Sequence, residues 1–127
     1  MHVNFVKFTF LDCSRNELNY IDASMNTHLE IYFCNNNKIS NIDISKNIKL
    51  SSLGCHNNLL NSLDVSNNKN LEYLYCSDNN FINLDVSKCK KIKHIFIFNN
   101  PNLQNVCVWT LPFPPYKTFD FLFQGCS

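Results

Sequence analysis

A spacing of 21 residues, kept along most of the chain, limits the possible folds of this sequence more than any other feature. One apolar column consists of Phe8, Leu29, Leu50, Leu71 and Ile92. A second consists of Leu11, Tyr32, Leu53, Leu74 and Ile95. Cysteine recurs at Cys13, Cys34, Cys55 and Cys76. Asparagine recurs at Asn16, Asn37, Asn58, Asn79 and Asn100. A period of this length is the signature of a solenoid, in which each unit buries its apolar residues against its neighbours.

The second half of each unit keeps the same register with different residues. Aspartate recurs at Asp22, Asp43, Asp64 and Asp85. Serine follows two residues later, at Ser24, Ser45, Ser66 and Ser87. A second asparagine column consists of Asn26, Asn47 and Asn68, and Cys89 occupies its fourth position. The two halves of the unit therefore read L-x-x-L-x-C-x-x-N-x-L and x-x-L-D-V-S-x-N.

Together these patterns resemble the leucine-rich repeat, and in particular the short bacterial class in which CSxN and LDVSxN segments alternate. The resemblance covers residues 8 to about 106. It implies a mainly β, right-handed parallel solenoid of about five turns with little or no α-helix. The unit length agrees, because 21 residues cannot hold a strand, two turns and a helix of about three turns at 1.5 Å per residue.

Both ends of the chain depart from the repeat. We interpret residues 1–7 as a lead-in at the truncated edge of a longer array, residues 8–105 as the leucine-rich repeats, and residues 106–127 as a C-terminal cap. The apolar columns slip by one residue after Pro101. A cap is expected because the last turn of a solenoid would otherwise expose its core.

Within the cap, strands are expected at residues 106–109 and, as an edge strand, at 119–123. The prolines between them exclude a central strand, because proline lacks the donor. The resemblance to caps of exported proteins implies a disulfide between Cys107 and Cys126. Against this bond, a ladder of thiols also suits a reducing compartment.

The inward columns have structural interpretations and functional alternatives. Alternation along each strand directs the leucine and cysteine columns into the core. The cysteines are expected to be buried free thiols acting as small hydrophobes, and the alternative is a metal ladder or a redox chain. The asparagines are expected to bond the backbone of the turns and of neighbouring coils. The aspartates are expected to form short turns with the serines that follow, and the alternative is a calcium ladder.

The outward residues of the strands form the concave surface of such a solenoid. Aromatic residues gather towards its C-terminal end, where they are costly to leave in water and so tend to mark a contact site. The candidate binding residues are Phe33, His56, Tyr73, Tyr75, His94, Phe96 and Phe98. Two alternatives remain, namely that aromatic residues simply favour strands or that the cap covers them.

Composition excludes several classes of function. A net charge of +1, from 11 basic and 10 acidic residues, argues against a nucleic-acid binder, and no apolar run is long enough for membrane insertion. With only two glycines the chain has no phosphate-binding loop. The nucleophile, zinc-protease and paired-cysteine motifs of common enzymes are also absent, so we expect neither catalysis nor a cofactor. The run from Lys88 to His94 is either a solvated turn or an anion-binding site.

Two functions from different classes fit these features. The first is a module that recognises a protein or glycan partner on the concave sheet, since solenoids present extended concave surfaces. The second is a spacer or stalk segment of a larger surface protein, with no ligand of its own. The resemblance implies a secreted or cell-surface location, and a cytoplasmic one is the alternative because the chain shows no secretory signal.

Overall fold

The computed structural model describes residues 7–109, together with the backbone of residues 123–125. These residues form eight strands and no helix. The strands are β1 (Phe10–Asp12), β2 (Ile31–Phe33), β3 (Ser52–Gly54), β4 (Tyr73–Tyr75), β5 (Asn83–Asp85), β6 (His94–Phe96), β7 (Asn105–Val108) and β8 (Phe123–Gly125). The described part of the chain also has no helix of the length and hydropathy needed to cross a membrane.

The first halves of the units build one parallel sheet in the order β1-β2-β3-β4-β6. Each strand pairs with the strand one period away, so that Leu11 lies beside Tyr32 and Leu74 beside Ile95. This register confirms the parallel solenoid predicted from the 21-residue period.

The strands β5 and β7, which follow the second-half columns, form another parallel sheet with the later strand β8, in the order β5-β7-β8. Leu84 pairs with Val106, a step of 22 residues rather than 21, so the slip after Pro101 is absorbed before β7. The strand expected at 106–109 is thus present at 105–108, where it continues the L-D-V columns. Of the strand expected at 119–123, residues 119–122 lie outside the described residues.

The core consists of the inward columns, and the cysteine column is part of it. Cys34, Cys55 and Cys76 are fully buried free thiols, and Cys13 is nearly so. Desolvation raises the pKa of all four, to about 11 for Cys13. The prediction of buried free thiols is confirmed. In the described part of the chain no group of three or more His, Cys, Asp or Glu side chains could hold a metal ion.

The asparagine column at the strand ends forms what we call the strand-end ladder, made of Asn37, Asn58, Asn79 and Asn100. Each amide bonds its own coil and the preceding one. In Asn58, Nδ2 donates to the carbonyls of Cys34 at 3.1 Å, Cys55 at 3.0 Å and His56 at 3.3 Å. Its Oδ1 accepts the Ile39 N–H at 3.1 Å. The buried amides therefore satisfy backbone groups that the sheet does not reach, as predicted.

The turn beside this ladder requires left-handed backbone. Five residues one period apart have φ between 53° and 59°, namely Arg15, Asn36, Asn57, Asp78 and Asn99. Asparagine and aspartate adopt this conformation more readily than other non-glycine residues. Asparagine thus takes the place of glycine at three of these turns and aspartate at one, and Arg15 is the exception.

The second asparagine column forms what we call the turn ladder, made of Asn47, Asn68 and Cys89. Nδ2 of Asn68 donates to the carbonyls of Ile44 and Asn47, both at 3.0 Å. The thiol of Cys89 lies 3.4 Å from the corresponding carbonyls of Val65 and Asn68. Cysteine therefore replaces asparagine here with the same contacts at longer distance.

The aspartate column makes the short turns predicted for it. In each repeat a carboxylate oxygen accepts the N–H of the serine two residues later at 2.9 Å. The hydrogen bonds from Ser45 and Ser66 lower the pKa of Asp43 and Asp64. These carboxylates are thus engaged in local turns.

Candidate functional site

The concave sheet brings six aromatic residues and one histidine onto a single surface. This aromatic face consists of Phe10, Phe33, Tyr73, Tyr75, His94, Phe96 and Phe98. The sheet places residues one period apart side by side, so Tyr73 pairs with His94 and Tyr75 with Phe96. Their inward neighbours Leu74 and Ile95 anchor both strands to the core.

Four of these rings form a block of parallel planes at the C-terminal end of the sheet. Tyr73 and His94 stack with centroids 5.4 Å apart and planes 11° from parallel. Tyr75 and Phe96 stack at 5.2 Å and 10°. His94 and Phe96, on one strand, are 6.1 Å apart and 9° from parallel. Such contacts add about 0.5–1.5 kcal/mol per pair beyond burial, so each ring restrains the others.

A glycine joins this block to the aromatic residues of the earlier strands. Phe33 and Tyr75 are two strands apart, yet their rings meet edge to face at 6.4 Å above Gly54. A Cβ on Gly54 would lie 2.7 Å from Cδ1 of Phe33 and 2.9 Å from the amide of Asn35. The missing side chain therefore makes room for Phe33 in the position that it adopts.

At the N-terminal end, Phe33 also meets Phe10 edge to face at 6.2 Å. The ring contacts thus run without a break from β1 to β6. Sequence reasoning left Phe10 and Gly54 out of the candidate site. Phe10 occupies the same column as Tyr73, which was a usable signal, whereas the role of Gly54 depends on side-chain positions that a column alignment does not give.

Much of the aromatic face stays in contact with solvent. Phe10, Phe96 and Phe98 are 54%, 38% and 40% exposed, although each lies beside other rings. Phe98 is tilted 49° from Phe96 at a centroid distance of 6.3 Å. Exposed aromatic rings held in mutual contact offer a large apolar area with little side-chain entropy left to lose on binding.

Another column of outward residues, one position after the buried cysteines, is engaged in hydrogen bonds between coils. Oγ of Ser14 accepts the Asn35 N–H, Oδ1 of Asn35 accepts the His56 N–H, and Oγ of Ser77 accepts the Phe98 N–H. These polar side chains therefore link neighbouring coils. His56 itself is half-buried and lines a polar cavity of about 480 Å³ with Phe33 and Arg15.

An ion pair borders the block of stacked rings. Nζ of Lys93 lies 2.9 Å from Oε1 of Glu72 and 6.0 Å from the centroid of the Tyr73 ring. The hydrogen bond with Glu72 raises the pKa of Lys93. Because the two charges compensate each other, this end of the aromatic face presents rings bordered by a neutral ion pair.

The predicted disulfide can be followed at one of its two residues. Cys107 is disulfide-bonded and lies on β7, in register with Asp85. Cys126 lies outside the described residues, so its pairing with Cys107 stays a prediction.

Comparison with known proteins gives the fold a class. No protein-family model and no curated protein matches the sequence. Among solved structures, the functional domain of InlJ from Listeria monocytogenes, which includes a cysteine ladder, is similar with a TM-score of 0.74 and 31% identity. The alignment covers 81% of this chain and 25% of that one, so this chain spans about a quarter of the length of InlJ's domain.

The strand order, the 21-residue register and this similarity define a leucine-rich-repeat solenoid. The comparison adds one shared feature. The InlJ domain includes a cysteine ladder, and this chain carries buried cysteines one period apart at Cys13, Cys34, Cys55 and Cys76.

Proposed function

We propose that this chain is a recognition module that binds a protein or glycan partner through the aromatic face, without catalytic activity of its own. The observation that supports this role is the unbroken series of ring contacts from Phe10 to Phe98 on one exposed surface. Apolar anchors of this kind, set in a polar rim, dominate the energy of many interfaces.

The test is the double substitution Tyr75→Ala with Phe96→Ala. Partners are first identified with a glycan array and by cross-linking to an extracellular extract. The double variant should bind at least about thirtyfold more weakly, since a single anchor of this kind typically contributes about 2 kcal/mol or more. The matched control is Leu59→Ala with Ile82→Ala, which removes two exposed apolar residues elsewhere and should bind as the native protein does.

The second candidate is a spacer segment of a larger surface protein. The regular pairing of β1 to β4, with the same register at every step, favours it. Unchanged binding by a correctly folded Tyr75→Ala, Phe96→Ala variant, or no partner above background, would favour the spacer. A secreted or cell-surface location is supported by the resemblance of the repeats and cap to exported proteins. Cell fractionation tests it, and recovery in the cytoplasm would contradict it.

A further inference from the structure

The turns that lead back to the concave strands form a separate edge of the solenoid. In each coil two consecutive turns are closed by hydrogen bonds from residue i+3 to residue i. In the second coil, the Asn47 N–H donates to the Ile44 carbonyl at 3.1 Å and the Leu50 N–H to the Asn47 carbonyl at 3.2 Å. The turn ladder lies between the two turns and is buried, so the other turn residues point outward.

Three residues per coil form the tips of these turns, and all of them are exposed. In chain order they are Met25, Thr27 and His28, then Lys46, Ile48 and Lys49, then Asn67, Lys69 and Asn70, then Lys88, Lys90 and Lys91. Six of these twelve residues are lysine and none is acidic. Because the whole chain has 11 basic residues and a net charge of +1, more than half of its positive charge is gathered on this edge. We call it the lysine edge.

The turn ladder stacks the turn tips of successive coils. Each of its residues bonds carbonyls of the preceding coil, so the tips stack with the coil spacing of about 4.8 Å. Lys90 therefore lies beside Lys69, and Nζ of Lys91 donates to Oδ1 of Asn70 at 2.9 Å. The basic run noted in the sequence is thus only the last row of a surface that extends over three coils.

Little negative charge compensates this edge. Within residues 7–109, no carboxylate lies at ion-pair distance from its six lysines. The aspartate column flanks one side of the edge. There Lys46 contributes to the lowered pKa of Asp43, and Lys88 shares a shallow cavity with Asp85. Lys49, Lys69, Lys90 and Lys91 lie farther along the turns, so the positive potential is strongest there.

We propose that the lysine edge binds a linear anionic polysaccharide that carries sulfate or carboxylate groups along its length. One sugar ring of an extended polysaccharide is about as long as the coil spacing, so charges on successive rings can meet lysines of successive coils. The flexible ammonium groups suit this diffuse recognition better than one fixed anion site. The edge has no Phe, Tyr or Trp ring for base stacking, which single-stranded nucleic acids favour.

An anionic membrane fits the same surface less well. Membrane-bound basic surfaces usually insert apolar side chains among the charges. Only two of the exposed tips are apolar, Met25 and Ile48, and the third and fourth coils, which carry four of the six lysines, have none. The proposal rests on the lysine edge alone and does not depend on the aromatic face.

The experiment measures binding of a size-defined heparin oligosaccharide by calorimetry at low and physiological salt. The native chain should bind, and the affinity should fall steeply as salt rises. The variant Lys69→Ala, Lys90→Ala, Lys91→Ala should bind at least about tenfold more weakly. The control Lys7→Ala, Arg15→Asn, Lys38→Ala removes the same charge from other parts of the surface and should stay within about twofold.

Several outcomes would overturn the proposal. Equal losses in the two triple variants would show that net charge alone attracts the polyanion, and absence of binding at low salt would remove the site. Equal or tighter binding to phosphatidylserine vesicles or duplex DNA would point to a membrane or a nucleic acid instead. Circular dichroism establishes that each variant is folded. The Tyr75→Ala, Phe96→Ala variant should keep its affinity for heparin, which separates this proposal from that for the aromatic face.

Discussion

The strand-end ladder and the turn ladder both use side chains to bond buried backbone groups of neighbouring coils. They differ in how many polar atoms of those side chains find a partner. In the strand-end ladder Asn58 uses both its nitrogen and its oxygen, in four hydrogen bonds. In the turn ladder Asn68 uses its nitrogen, in two bonds, while its Oδ1 is buried without a partner. Only the turn ladder accepts a cysteine, Cys89. A buried amide is hard to replace where its acceptor as well as its donor is in use.

The largest effect should come from Asn58→Ala. This change leaves the Ile39 N–H without its acceptor and removes the donor to three carbonyls. We expect a loss of about 4 kcal/mol in the free energy of unfolding, because unpaired buried polar groups each cost about 1–3 kcal/mol. Urea denaturation measures it. The companion variant Asn68→Ala should lose about half as much, and equal losses would contradict the contrast between the ladders.

The hydroxyl of Tyr32 is a buried polar group that belongs to neither ladder. Tyr32 is fully buried in the leucine column, and its hydroxyl has no hydrogen-bond partner. Tyr32→Phe should therefore stabilise the fold, by about 1–2 kcal/mol, because the hydroxyl no longer has to be desolvated. Thermal and urea denaturation measure the gain. A loss of stability would mean that the hydroxyl makes a bond in solution.

Alkaline pH should lower the stability of the native chain, which has Cys89 in the turn ladder, more than that of a variant with asparagine at this position. Burial raises the pKa of Cys89 to about 11 from 9.0. Its contribution to stability is therefore complete below pH 9 and is lost as pH rises towards 11. Between pH 7 and pH 10, Cys89→Asn should lose about 1 kcal/mol less than the native chain, since each unit of pKa shift corresponds to about 1.4 kcal/mol. If the two chains lost stability equally as pH rises, ionisation of Cys89 would not be the cause of the loss.

The smallest effect concerns the turn beside the strand-end ladder. Arg15 has a φ of 57°, in a column where Asn36, Asn57 and Asn99 adopt the same conformation. Arg15→Asn should stabilise the chain by about 0.5 kcal/mol, because asparagine adopts left-handed backbone at lower cost. Differential scanning calorimetry is sensitive enough to detect the shift. The reverse change, Asn57→Arg, should destabilise by a similar amount, and no effect in either direction would show that backbone strain is absent.

The contacts that were predictable are those between residues one period apart. The pairing of Tyr73 with His94 and of Tyr75 with Phe96 followed from counting, because a parallel register makes the sequence period a spatial neighbour relation. The buried cysteines and the aspartate turns followed from the same columns together with the chemistry of each side chain. The lysine edge was visible only in its last row, since Lys49 and Lys69 stand alone in the sequence.

The sequence by itself determined the solenoid, its register and the direction of each column, because one period repeated through the chain admits a single way to bury the apolar residues. The tertiary structure decided the rest. Whether Phe33 reaches Tyr75 across Gly54 depends on side-chain positions and on the absence of a Cβ. Where β7 pairs depends on how one extra residue is absorbed before it. Both are local packing choices between residues more than one period apart, which a repeat pattern does not encode.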